Sequence, residues 1–330
     1  MAPHDLMQSH FRHTGRGAAV KGWGTALPDT VVTNVQLEAH LETTDAWITE
    51  RTGIKERRVG GTTSGLAIEA GAAAMASAGY VGSDIDQVLL ATSTPDHQLP
   101  ATASVVQNAL GISGGALDLN AACSGFVYGL VHAHGLISMG AERVLLIGAE
   151  TLSRITDGND RNTAILFADG GGAIVLEAVD GPGQLLGWDL GSDGSAQELL
   201  YADIGGYVQM EGREVFRRAV RATVDTSFRA LERAGVTPDE IALVVPHQAN
   251  MRILEAACQR LGIPIERTAT VLQSTGNTSS ASIPIALADA IDAGRVQAND
   301  LVLFVGFGAG MSWASAVIRW PDTTTDRTVA

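Results

Sequence analysis

An α/β fold made of two similar halves is what this sequence predicts, and three observations predict it. Short β-branched or Leu-rich runs alternate with Ala-rich amphipathic segments, the pattern of strands that cross over through helices. The apolar runs are brief and nearly unbroken, as in strands covered on both faces. A weak order of features in the first half also recurs in the second at an offset of about 150–160 residues.

The clearest strands are expected at residues 88–91 (VLLA), 116–119 (ALDL), 144–147 (VLLI), 243–245 (LVV) and 301–305 (LVLFV). In the first half, residues 86–90 lead to a polar loop, a helix ending ALGI at 109–112, the loop holding Cys123, a second helix and then RVLLIG at 143–148. In the second half, residues 241–245 lead to His247, a helix ending RLGI at 260–263, the loop holding Asn277, another helix and then 300–306. Two copies of one unit would bring Cys123, His247 and Asn277 to comparable strand ends, where α/β sheets gather their ligands. The chain then divides into an N-terminal extension (1–17), a half carrying the cysteine (18–180), and a connecting loop with the half carrying His247 and Asn277 (181–330). Residues 181–209, rich in Gly, Asp and Ser, read as loop, and the tail from Asp322 reads as frayed.

Composition narrows the function classes. A chain of 330 residues, 45% hydrophobic and 18% charged, is globular and large enough for a substantial core. Its apolar runs fall far short of the roughly 20 residues of a membrane span, so no membrane partner is expected. Two cysteines and no CxxC pair exclude a disulfide framework and the usual thiolate zinc sites, and fit a reducing cytosol. A net charge of −14 repels nucleic acid, and any acidic partner must meet a local basic patch.

Cys123 lies in DLNAACSGF (118–126), where an apolar strand gives way to the small-residue start of a helix. A thiol there would face unpaired helix N–H groups and the positive dipole end, which favour thiolate. Cys258, in the middle of the helical ILEAAC segment, reads as structural by contrast. His247, in VVPHQANMR (244–252), ends a strand, and Asn277, in QSTGNTSS (273–280), sits in a polar loop. Taken singly, each has an ordinary reading: a buried thiol, a satisfied loop histidine, a turn asparagine. The GFGAG turn at 306–310 has neither dinucleotide-fingerprint spacing nor a P-loop lysine, so nucleotide phosphate binding is rejected there; its backbone N–H groups suit an oxyanion.

Together with TDAWITERTGI (44–54), these segments resemble the β-ketoacyl-acyl-carrier-protein synthase III family of the thiolase superfamily, over nearly the whole chain from about Ala18 to Trp320. The resemblance implies a thiolase-like fold, two duplicated α/β halves in a layered α-β-α-β-α architecture. It implies that Cys123 accepts an acyl group from acyl-CoA, that backbone N–H groups of Cys123 and Ala309 hold the oxyanion, and that CoA leaves. Malonyl-acyl carrier protein then enters, and His247 and Asn277 donate to its thioester oxygen as decarboxylation builds an enolate that attacks the acyl group. By the same matching Trp47 stacks on the CoA adenine, Arg51 and Arg161 hold its phosphates, and Asn250 joins the CoA site. Gln248 and Arg252 would meet the carrier protein, with Arg213, Arg217 and Arg218 as neighbours. The family is dimeric and needs no cofactor beyond acyl-CoA as substrate, so a cytoplasmic homodimer is expected.

Three features depart from the family pattern. Ala309 replaces a common glycine, although its amide remains. Leu99 stands where members using acetyl primers often have Phe and where the partner subunit closes the acyl pocket, which suggests room for a longer or branched primer. The stretch from Gly191 to Glu211 is shorter than usual. A thiolase would need a second catalytic cysteine, and hydroxymethylglutaryl-CoA synthase a glutamate near the cysteine; neither is found. A plant-type polyketide synthase shares the Cys, His and Asn but has less similar surroundings. An acyltransferase passing the Cys-bound group to an alcohol or amine commonly alters the His or Asn, and both are present. A non-enzymatic scaffold would have lost the nucleophile or the CoA arginines.

Overall fold

A computed structural model describes residues 15–321, so most of the expected N-terminal extension and the whole tail from Asp322 lie outside the described residues. Nine strands build two sheets: β1 (Arg16–Ala26), β2 (Gln87–Ala91), β3 (Gly115–Leu119), β4 (Arg143–Thr151), β5 (Asp169–Asp180), β6 (Leu185–Ser192), β7 (Ile241–Pro246), β8 (Leu301–Gly308) and β9 (Ser312–Arg319). The main helices are α1 (Asp45–Thr52), α2 (Thr63–Ala78), α3 (Thr102–Ala109), α4 (Gly125–Ser138), α5 (Gly212–Ala234), α6 (Met251–Leu261) and α7 (Ser282–Asp292).

The first sheet runs β1-β5-β4-β2-β3 and the second β6-β9-β8-β7. Their pairings match term by term. β1 with β5 and β5 with β4 are antiparallel, as are β6 with β9 and β9 with β8; β4 with β2 is parallel, as is β8 with β7. The fifth strand of the first sheet, β3, runs parallel to β2. Its counterpart has shrunk to a single parallel bridge between Val244 and Thr268. The faint sequence repeat is therefore a repeat of topology.

Burial gives the layers. Phe126, Leu130 and Ile137 of α4 and Ile283, Ile285 and Leu287 of α7 share one core with Leu146 and Ile174 of the first sheet and Val245 and Phe304 of the second. The outer face of the first sheet is covered by α2 and α3, through Ala70, Ala74 and Val106. The outer face of the second is covered by α5 and α6, through Leu231, Ala257 and Leu261. The order is helix, sheet, central helices, sheet, helix.

Two expectations change. Residues 181–209 are not loop throughout, because β6 lies within them and pairs along β9 from Ser192 to Leu185; its LLGWDLGS alternation was masked by the Gly and Asp around it. Nor is every strand covered on both faces. β3 ends its sheet and is only partly buried, with Leu117 exposed.

Candidate active site

The strand β3 ends at Leu119, and the chain turns sharply before α4. Asn120 Oδ1 accepts the Ala122 N–H at 3.1 Å, and Ala122 adopts a left-handed φ of 46°, a conformation that costs an alanine of order 1 kcal/mol. The resulting 3₁₀ turn, Ala122–Ser124, lifts partly exposed Cys123 into the space before the first turn of α4. Ser312 Oγ reaches the Ala121 and Ala309 carbonyls at 2.8 and 3.0 Å and Ser124 Oγ at 2.8 Å, joining this elbow to the turn Ala309–Met311 after β8. The two backbones nearly touch: a Cβ on Gly308 would lie 2.6 Å from the Cys123 nitrogen. The Cys123 and Ala309 amides are thus neighbours through packing that only glycine permits.

His247 follows β7, its N–H donating to the Val305 carbonyl at 2.8 Å, and is buried. Asn277 is held by its backbone, N–H to the Leu166 carbonyl and carbonyl from Ala168 N–H, both at 2.9 Å. Behind it, buried Arg57 donates through Nε and Nη2 to the Ile165 carbonyl at 3.1 and 2.7 Å. Asn277 Oδ1 accepts the Ser279 N–H at 2.9 Å, which leaves the amide NH2 for another acceptor.

The three loops meet at Ser279, itself buried with a left-handed φ of 50°. Its N–H holds Asn277, while its side chain bears on the Cys123 thiol, lowering its pKa, and its carbonyl on the His247 ring, raising its pKa. That carbonyl also accepts from Ser282 Oγ at 2.7 Å, while Ser282 Oγ lies 2.8 Å from His247 Nδ1 and receives the Gln248 N–H at 3.1 Å. The hydroxyl has one proton and two takers, so its rotation sets which ring nitrogen of neutral His247 carries the hydrogen. Sequence reading missed Ser279 and Ser282; the signal was the hydroxyl run TSSAS at 278–282, unusual in a loop that is buried throughout.

Burial dominates the electrostatics. It pushes the Cys123 thiol up to about 12, opposed by the Ser279 hydrogen bond and reinforced by the negative charge of Glu150. It pushes His247 down to about 4, opposed by the Ser279 carbonyl. The expectation that the helix terminus favours thiolate is outweighed by burial, and both groups are neutral near pH 7. Cys258 is buried against Thr268 Oγ1 at 3.2 Å, as its mid-helix position predicts.

Further out, Trp47 on α1 has two guanidinium groups against its ring, with Arg51 Cζ 4.6 Å and Arg161 Cζ 4.9 Å from its centroid. Asn250 caps α6, accepting the Arg252 N–H, and donates to the Arg51 carbonyl, both at 2.9 Å. Both ends of its amide are thereby engaged, and it ties α6 to the Trp47 helix. Gln248 does not reach the surface. It is fully buried, donates to the Pro246 and Ala269 carbonyls and accepts from Val271 N–H, so a carrier-protein contact through its side chain is excluded. Its role is to brace the His247 loop. Arg252 is exposed, 5.9 Å above the Phe216 ring. Phe216, Arg217 and Arg218 line a groove of about 550 Å³ with Arg221, Arg260 and Phe307, and Phe307 also walls the small cavity beside His247. Arg217 and Arg218 are paired with Glu214, and Arg218 also with Asp193. Arg213 is exposed, and Leu99 is 85% exposed. Among the described residues no group of His, Cys, Asp or Glu is placed to hold a metal ion.

A duplicated layered fold with a cysteine elbow facing a buried histidine and asparagine defines a thiolase-fold acyl-transfer enzyme. Sequence profiles described as 3-oxoacyl-[acyl-carrier-protein] synthase III and its C-terminal part match residues 117–194 and 231–320. The chain belongs to the β-ketoacyl-[acyl-carrier-protein] synthase III family, and it is a condensing acyltransferase. It is 48% identical over 323 residues to the synthase III of Roseiflexus castenholzii, covering 92% of this chain and 98% of the relative. The 3-oxoacyl-[acyl-carrier-protein] synthase III of Aquifex aeolicus superposes with a TM-score of 0.90 at 44% identity, over 92% of this chain and 100% of the other. A priming β-ketosynthase of the R1128 polyketide pathway does so at 0.89 and 34%, over 94% and 98%.

Proposed function

We propose that Cys123 is the acyl carrier of this condensing enzyme and that His247 and Asn277 drive its decarboxylative step. The Cys123 sulfur attacks the thioester carbon of acyl-CoA, its proton passes to the departing CoA sulfur by way of neutral His247, and the amides of Cys123 and Ala309 hold the oxyanion. Malonyl-acyl carrier protein follows. Its C–C bond to the carboxylate breaks, CO2 leaves, and the enolate oxygen accepts hydrogen bonds from His247 and the Asn277 NH2. The carbanion then attacks the acyl carbonyl and the Cys123 sulfur is released. Two neutral donors suit a charge that exists only in the transition state. The convergence of all three residues on Ser279 is the observation that carries this reading.

The same reading takes Trp47, Arg51 and Arg161 as the CoA nucleotide site and exposed Arg252, beside the Arg213–Arg218 segment, as the contact for the acidic carrier protein. No bound cofactor enters these steps. A homodimer is supported by the free edge of β3 and by the exposed Leu99 in the loop between β2 and α3, which would close a partner's acyl pocket, and the two free cysteines fit a reducing cytoplasm. Among the described residues no helix is long and apolar enough to cross a membrane.

The test is to incubate the pure protein with acyl-CoAs from acetyl to branched and medium chain, read intact mass beside a Cys123→Ala control, then add malonyl-acyl carrier protein. Cys123-dependent loading followed by a β-ketoacyl product supports the synthase and names the primer. Loading without condensation moves the assignment to transfer onto an alcohol or amine, and no loading by any acyl-CoA overturns it.

A further inference from the structure

Glu150, near the end of β4, is fully buried, and its acceptors are filled by hydroxyl and amide donors rather than by a cation. Thr94 Oγ1 donates at 2.6 Å, Ser93 Oγ at 2.9 Å, Ser280 Oγ at 3.0 Å, Ser93 N–H at 3.1 Å and Thr92 Oγ1 at 3.2 Å. A buried carboxylate is expensive unless every lone pair is met, and here the donors come from two separate segments. The first is the loop leaving β2. The second, Ser280, belongs to the other half of the chain and follows Ser279, the residue on which Cys123, His247 and Asn277 converge.

A second contact addresses the same turn. Two residues before Glu150, a Cβ on Gly148 would lie 2.4 Å from the Ser280 carbonyl oxygen. The glycine lets β4 press on the turn and the carboxylate clasps it. Ser280 Oγ also lies 2.8 Å from the Ala91 carbonyl, so its single proton is shared between the carboxylate and β2.

We propose that Glu150 is a positioning residue of this site, its buried carboxylate clamping the Ser279–Ala281 turn to the ends of β2 and β4 so that Cys123, His247 and Asn277 share one geometry. The clamp deepens the assignment made for those three residues. It also has an electrostatic consequence: a fixed negative charge near the thiol disfavours thiolate. Across the turn Cys123 faces neutral His247. Beyond the Glu150 network lie Asp169 on β5, bonded to Ser153 and Gly60, and Arg154, which bonds the Thr94 carbonyl and pairs with Asp96.

The experiment is the pH dependence of Cys123 alkylation by iodoacetamide, read by intact mass, in wild type, Glu150→Gln and Glu150→Asp, with melting temperatures alongside. Glu150→Gln keeps the size and loses the charge, so its alkylation midpoint should fall by about one pH unit, the scale of removing one nearby like charge. Glu150→Asp should hold the wild-type midpoint. An unshifted midpoint in Glu150→Gln, or equal shifts in both variants that follow melting temperature, overturns the proposal. If Glu150→Gln does not fold, Ser280→Ala severs the tie alone: it should lower the rate of malonyl decarboxylation about tenfold with KM for malonyl-carrier protein held, and an unchanged rate overturns the clamp. The alkylation needs no substrate, so it stays readable even if the synthase assignment fails.

Discussion

His247→Asn should remove a pH dependence from the stability of this protein. Burial holds the imidazole at about 4 against the ordinary 6.5, and unfolding releases it to water. Between those values the unfolded chain binds a proton that the native one does not, so native stability falls as pH drops through the window. Above it the ring is neutral in both states and contributes no such term. Each unit is worth about 1.4 kcal/mol, giving about 3 kcal/mol across the window and about 2 kcal/mol between pH 7 and pH 5. Urea unfolding at the two pH values, with equal m-values, should show the wild type losing about 2 kcal/mol more than His247→Asn. The rest of the chain is common to both proteins and cancels. Equal losses in the two proteins would refute the reasoning, because they would mean that the ring is already protonated in the fold or is not desolvated there.

Three further outcomes follow from the geometry. Gly308→Ala places a methyl 2.6 Å from the Cys123 nitrogen and should lower acylation about 100–1000-fold, the scale of losing an oxyanion donor, measured by the rate of intact-mass gain. Ser282→Ala frees the His247 ring from its nearest partner and should reduce kcat for condensation about tenfold while leaving KM for acyl-CoA near wild type, with Ser282→Thr restoring most of the loss. Trp47→Ala removes the face that Arg51 and Arg161 cover and should raise KM for acyl-CoA about tenfold with little change in the decarboxylation of malonyl-carrier protein.

Much of this was legible in the sequence because it is periodic or punctuated. The five named strands appear where the apolar runs lie, and Cys123 and His247 follow strand ends as the duplicated unit predicts, whereas Asn277 follows the short helix Leu272–Thr275 and pairs only with Phe167 in an isolated parallel bridge. β6 was illegible for the opposite reason: its half-buried alternation is interrupted by Gly187, Asp189 and Gly191, so its strand character comes from pairing with β9 rather than from its own propensity. Gln248 misled because a polar residue beside His247 looks like a surface contact until the fold surrounds it with three backbone partners. Ser279, Ser282 and Glu150 were hidden because their significance is relational. A serine run reads as a solvated turn, and only tertiary contact shows that each hydroxyl is aimed at a different functional group.

The neutral states of Cys123 and His247 explain why those hydroxyls are there. A preformed thiolate–imidazolium pair would place two charges in a site that already buries Glu150, and such a pair is stable only where its hydrogen-bonding needs are completely met. The site instead keeps a thiol pushed up to about 12 beside an imidazole pushed down to about 4, so charge separation is unfavourable until a thioester brings its carbonyl to the Cys123 and Ala309 amides. In the proposed mechanism acylation then creates negative charge where fixed dipoles await it, decarboxylation creates it where His247 and Asn277 can donate, and both half-reactions use one neutral histidine, as acceptor in the first and donor in the second. The Ser282 hydroxyl, able to turn between the Ser279 carbonyl and His247 Nδ1, meets either neutral tautomer of the ring, donating to Nδ1 when the ring proton is on Nε2 and accepting from it when the proton is on Nδ1.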